Sequence, residues 1–145
     1  MNFNKTEIDG VIVIEPKVVM DDRGYFMEEF RQNVFDQEVG HIIFDTEYEL
    51  EATQGPVSNS LPECGGQQDS SANDSALPVT LLRCVLGKAV VTVTDERKDS
   101  PTRGQQLAIE LSDSNHLLCF IPHGVTHSLS ILSPKALLQF RCSKE

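Results

Sequence analysis

The sequence has no tryptophan, only two tyrosines, and 12 lysines and arginines against 22 aspartates and glutamates in 145 residues. A formal charge of −10 is the wrong sign for a surface that must neutralise phosphates, which makes nucleic acid and anionic membranes poor partners. A small anionic ligand stays open, because a few local cations set the potential of a pocket whatever the whole molecule carries. No apolar run approaches the roughly 18 to 20 residues that span a bilayer, and Met1 to Glu7 offers no apolar signal core; the expectation is a cytoplasmic protein. Glycine-rich phosphate loops are missing as well. Gly10, Gly24, Gly40 and Gly55 stand alone, so neither a dinucleotide-binding fingerprint nor a P-loop is supported. The four cysteines, Cys64, Cys84, Cys119 and Cys142, form no CxxC pair, and three of them lie in apolar strand-like runs. Spacing and compartment favour buried thiols over disulfides.

What is present is a chain 39% hydrophobic, enough for one domain over residues 1–145 with a single core. Ile8 to Ile14 and Val18 to Met20 read as two short β-branched strands, followed by a turn at Asp21-Asp22-Arg23-Gly24. Apolar residues at Phe26, Met27, Phe30, Val34 and Phe35 predict a short helix within Phe26 to Glu38, ended by Gly40. His41 to Phe44 and Tyr48 to Leu50 read as strands. From Thr53 to Pro78 almost nothing can be buried, and the spacing predicts a long mobile loop over 53–78, functional, disordered or the remnant of a lost strand. Beyond it short apolar runs recur: Val79 to Leu86, Ala89 to Thr94, Gln106 to Leu111, Leu117 to Pro122, Thr126 to Leu132 and Leu137 to Cys142. Turn signals separate them, including Gly87-Lys88 and Ser133-Pro134. Hairpin-length connections leave no room for crossover helices, so the expected fold is all-β, an antiparallel sandwich or jelly roll with a short N-terminal helix.

Pro122-His123-Gly124-Val125-Thr126-His127 resembles the second half-motif of cupin barrels, P-x-G-x-x-H, in which a turn aims the histidine inward. A metal-binding cupin would also carry an H-x-H pair, yet Leu86 to Asp95 contains no histidine, and two histidines are too few to hold zinc or iron. No metal is expected. His127 is then either a hydrogen-bonded core histidine or a general base or donor to a ligand. His123 reads as exposed, His116 as a turn residue and His41 as a strand residue without a partner. At Asp21 to Glu29 the same residues support two readings. One is an ordinary charged turn; the other is a nucleotide clamp in which Arg23 meets phosphate, Tyr25 or Phe26 stacks on a base and Glu28 accepts from a base N–H.

Three stretches, in order, resemble the dTDP-4-dehydrorhamnose 3,5-epimerase family. The first is Gly10-Val11-Ile12-Val13-Ile14-Glu15-Pro16 with Asp22-Arg23-Gly24-Tyr25-Phe26-Met27-Glu28. The second is Leu82-Arg83-Cys84-Val85-Leu86-Gly87 with Asp95 to Gly104, similar to D-x-R-x-x-S-P-T-x-G. The third is Ile121 to His127 with Leu132-Ser133. The resemblance implies a cupin-like jelly-roll homodimer, free of metal and organic cofactor, that moves protons at C3 and C5 beside the C4 ketone of dTDP-4-keto-6-deoxyglucose. It also implies that Arg23, Tyr25, Phe26, Glu28 and His127 bind nucleotide sugar or line its pocket. The departures fall on the chemistry. The family's basic histidine and its preceding arginine correspond to Leu61 and Ser58, its acidic tyrosine to Phe140 and its lysine to Thr80. The chain ends at Glu145, ahead of the segment that supplies the carboxylate orienting the base. Residues acting as a unit leave little activity when one is removed. The expectation is therefore a degenerate, catalytically impaired member of dTDP-sugar and cell-surface polysaccharide metabolism that is at most a dTDP-sugar binder, with no confident catalytic residue and His127 as the candidate. Two rivals stand beside it: an active epimerase or related sugar isomerase with a rearranged site, using His127 as base and a cysteine or Tyr48 as acid, and a non-binding module that dimerises or pairs with an intact homologue.

Overall fold

Alternating apolar residues along the second half of the chain commit it to strands with one inward face, and a computed structural model, which describes residues 1–57 and 79–143, shows where they pair. In chain order the elements are β1 (Asn2–Lys5), β2 (Ile12–Glu15), β3 (Val18–Asp21), β4 (Gly24–Met27), α1 (Gln32–Glu38), β5 (Thr46–Pro56), β6 (Val79–Leu86), β7 (Lys88–Asp95), β8 (Gln106–Ser112), β9 (Leu118–Ile121) and β10 (Val125–Ser143). Eight strands form one antiparallel sheet in the order β1-β2-β9-β6-β10-β7-β8, with β5 paired to β10 as well; β3 and β4 form a separate hairpin. The fold is a cupin-like curled antiparallel sheet, as the strand spacing predicts.

The 19-residue β10 organises it. Val125 to Ile131 pair with β7, Leu137 to Ser143 with β6, and β5 runs along its other side. Ser133-Pro134, read as a turn, is instead a bulge within this continuous strand, where the register shifts between Ile131 and Lys135. Proline has no N–H to give a ladder, so a bulge is where a strand tolerates it. Gly87 fits against this bulge with φ +87°, and a Cβ there would collide with the Lys135 carbonyl oxygen.

The two faces of the sheet carry different cores. Inward lie Leu82, Cys84, Val91, Val93, Leu111, Cys119, Ile121, Leu138 and Phe140. Outward, Ile14, Val79, Leu81, Leu118 and Phe120 meet Phe35 of α1. At seven residues and with no side-chain cap, α1 is too short to persist alone; Phe35, edge-on to Phe3, Phe30, Phe44 and Phe120, fixes it.

Several sequence expectations need correction. Phe26 and Met27 belong to β4, so the helix begins at Gln32. Residues 41–44 are not a strand, although Ile42 and Phe44 pack on the outer core. Thr53 to Pro56 extend β5 rather than opening the predicted loop; residues 58–78 of that loop lie outside the described residues. Cys84 and Cys119 are buried free thiols as expected, but Cys142 is disulfide-bonded.

Candidate functional site

His127 is aimed inward by alternation: Val125, His127, Leu129 and Ile131 are the buried residues of the first half of β10. Its neighbour across the ladder is Val93. Burial among apolar side chains pushes the imidazole pKa down to about 4, because desolvation penalises the cation. It is a neutral imidazole at pH 7. Of its two sequence readings, neither a core hydrogen bond nor a second titratable partner is seen for it among the described residues.

The other chemical positions of the interior are mostly silent. Phe140 is fully buried and lies in register between Tyr48 of β5 and Leu82 of β6. Thr80 is 1% exposed. Burial raises the thiols of Cys84 and Cys119 to about 11 and about 12, so neither is a thiolate at neutral pH. Tyr48 packs against the inner core directly across from Phe140 and carries a phenol there. No group of three metal-ligating side chains occurs among the described residues.

At one end of the sheet, fully buried Asp95 accepts from the Arg97 backbone N–H and guanidinium and from the hydroxyls of Ser100 and Thr102. These donors hold its carboxyl far below the usual carboxylate range. Thr102 Oγ1 in turn accepts from the Asp9 N–H at 3.1 Å, and Arg97 donates to the Asp9 carbonyl. The Asp95 to Gly104 motif is thus a staple joining the β7–β8 turn to the turn before β2, and its charge is spent on structure. An open groove of about 420 Å³ runs beside β5, lined by Leu50, Ala52, Thr53, Gln54 and Lys135 among others; His127 is not part of it.

The clamp residues lie elsewhere. Arg23 and Phe26 are exposed on the β3–β4 hairpin, Phe26 at 76%. Glu28 is held by Arg31 in two bonds of 2.8 and 2.6 Å. Tyr25 is turned to the sheet: its hydroxyl accepts from Arg83 Nη2 at 3.2 Å, and its ring lies 4.5 Å from that of His116. Arg83 alternates with Leu82 and Cys84 along β6 and so shares the outer face with Leu81. Tyr25 therefore sits with Arg83 on the outside of the sheet, with His127 inside it. Sequence reasoning did not single out Arg83 or His116 as candidates, both 6% exposed. The available signal was an arginine in the middle of the apolar run Leu81 to Leu86. His116 is buried against Tyr25 rather than simply turning the chain, and His123 is half-buried rather than exposed.

Comparison with known proteins gives this geometry its context. The family profile described as dTDP-4-dehydrorhamnose 3,5-epimerase matches residues 5–145. The dTDP-4-dehydrorhamnose 3,5-epimerase of Shigella flexneri is 38% identical over 94% of this chain and 71% of its own length. That of Methanothermobacter thermautotrophicus is 31% identical over 98% and 71%. Among solved structures, the dTDP-6-deoxy-D-glucose-3,5-epimerase of Legionella pneumophila, in complex with dTDP-4-keto-L-rhamnose, superposes with a TM-score of 0.81 at 25% identity, covering 97% of this chain and 70% of the other. The motifs, the curled sheet and the profile agree, and the chain belongs to the dTDP-4-dehydrorhamnose 3,5-epimerase family.

Proposed function

We propose that this chain is a catalytically impaired epimerase-family barrel that retains the capacity to bind a dTDP-sugar, as a homodimer in cytoplasmic sugar-nucleotide metabolism. Phe140 is the observation that carries the reading. Epimerisation beside a ketone removes a proton from one face of a carbon and returns one to the other, so it needs a base, an acid and a stabiliser for the enolate. At the position corresponding to the family's acid, a phenyl ring is sealed in the core with no proton to exchange. His127 stays uncharged because its cation is poorly solvated. The same desolvation that keeps it neutral makes it a feeble acceptor for a carbon-bound proton. By sequence, Leu61 and Ser58 take the positions of the family's base and arginine.

Binding draws its support from Arg23, Phe26 and Glu28, which retain the D-x-R-G-x-F-x-E pattern, and from the nucleotide sugar in the Legionella relative. Within one chain the hairpin and His127 face opposite sides of the sheet. A site using both draws the hairpin from a second copy, which is the reason for the homodimer. One observation favours a second reading: Tyr48 stands across the ladder from Phe140, so a phenol from β5 reaches the neighbourhood where the family places its own. In that reading His127 and Tyr48 form a rearranged base and acid.

Proton NMR of dTDP-4-keto-6-deoxyglucose in D₂O separates these. Saturation transfer to the thymidine without deuterium entering C3 or C5 above the buffer rate is the expected result. Exchange that disappears in both His127→Ala and Tyr48→Phe would establish the rearranged enzyme. Neither signal would leave a scaffold that pairs with itself or with an intact homologue.

A further inference from the structure

Three features of the outer face converge on one side chain. Arg83 donates to the Tyr25 hydroxyl through Nη2 and pairs through Nη1 with Glu29 at 3.2 Å. It is buried on β6, flanked in register by Leu118 of β9 and Gln139 of β10, so it cannot shift without moving the centre of the sheet. On the other side of Tyr25 sits His116, whose φ of 56° is the only left-handed non-glycine backbone among the described residues. Such a conformation persists only where its surroundings over-determine it. Here they do. Asn115 Oδ1 accepts from the Ser112 and Leu117 N–H groups, Asn115 Nδ2 donates to the Glu110 carbonyl, and the His116 N–H donates to the Ser112 carbonyl. The turn is a rigid cage that pushes an imidazole against Tyr25.

Both gripping side chains also carry a buried nitrogen with no partner among the described residues, Arg83 Nε and His116 Nδ1. What they grip is an element that needs support, because a two-stranded hairpin is marginal by itself. Among the described residues β3 and β4 pair only with each other, and the hairpin is held at Tyr25 and at Glu29, just past its end. Phe26, next to Tyr25, necessarily points away from that grip.

We propose that Arg83 and His116 are positioning residues that latch the β3–β4 hairpin through Tyr25 and so set the affinity of Arg23 and Phe26 for the nucleotide end of a dTDP-sugar. The nucleotide half rests on the binding reading above; the latch half rests on geometry alone.

The test uses the full chain, with Tyr25→Phe removing only the hydroxyl and His116→Asn removing the ring while keeping a residue that tolerates the left-handed backbone. Amide hydrogen exchange across the hairpin is compared with that of β7, and dTDP binding is read by titration and by saturation transfer to thymine against ribose. In Tyr25→Phe we expect hairpin exchange to rise about tenfold, the scale of one charge-assisted hydrogen bond, and in His116→Asn a rise of about threefold, the scale of one aromatic contact, with β7 unchanged in both. We also expect dTDP affinity to fall several-fold with a selective loss of saturation at thymine, which general destabilisation would not produce. Hairpin exchange unchanged from the wild type would overturn the latch. A looser hairpin with undiminished dTDP affinity would overturn the nucleotide half. A wild type that binds no dTDP overturns the binding reading itself, and the exchange data then judge the latch separately.

Discussion

The two faces of the main sheet have divided the family's work unequally. The inner face is apolar, with a neutral imidazole at His127, the phenyl ring of Phe140 and the Tyr48 ring packed against it. The outer face carries two arginines, two glutamates, a tyrosine and a histidine in contact: Arg141 lies within 4.0 Å of both Glu29 and Glu47, and its guanidinium sits 5.2 Å over the Phe30 ring. Reaction chemistry needs groups that change protonation, and in the proposed reading those are lacking where substrate would react. Placement needs groups that hold still, and those are dense where the hairpin is rooted. A barrel can thus lose the first capacity without losing the second, since they reside in separate cores.

Substitutions on the two faces should expose that division. Phe140→Ala, in the inner core, is expected to cost about 3–5 kcal/mol by cavity formation, seen as a large drop in the denaturant midpoint; a small drop would mean that the interior is loosely packed. His127→Leu should reveal its effect through pH. The folded state keeps this histidine neutral down to about pH 4, whereas the unfolded chain protonates it near 6.5. The unfolded state therefore binds more protons between those values, and wild-type stability should rise across that window by on the order of 3 kcal/mol. In His127→Leu this rise should vanish, as followed by urea midpoints from pH 4 to 7.

On the outer face, Arg83→Met should cost about 1–3 kcal/mol by removing the donor of the Tyr25 hydroxyl and leaving Glu29 with Arg141 alone, with hairpin amides exchanging before those of β10. Simultaneous loss of protection everywhere would make the outer face part of one cooperative core and erase the comparison. The smallest effect is expected at Glu28→Ala. Its bond with Arg31, the main cause that lowers the Glu28 carboxyl, is solvent-exposed, so the thermal midpoint should not move measurably. A clear midpoint shift would make Glu28 a structural residue rather than one kept for a ligand.

The strands from β6 to β9 were legible because each alternates or runs apolar between turn residues, whereas β10 was read as two because Ser133-Pro134 has turn chemistry while forming a bulge. β1 was not, since Asn2–Lys5 offers a single inward side chain, Phe3, and is a strand only because β2 pairs with it. The helix was overextended because Phe26 and Met27 mimic its apolar face while hydrogen-bonding to β3. His127 could be aimed inward from the alternation of its strand alone. Arg83 and His116 could not be assigned from sequence, because their roles arise only when β6, the turn before β9 and the hairpin meet in space.

The position of β10 in the chain has a further consequence during synthesis. It joins β7 and β8 to β6, β9, β2 and β1, and among the described residues it is the sole partner of β5. On the ribosome, everything up to Ile121 can emerge and still form only two disconnected half-sheets. The inner core closes only when residues 125–143 clear the exit tunnel. That closure depends on pairings distant in sequence, the kind that form slowly and leave strand edges open until they are made.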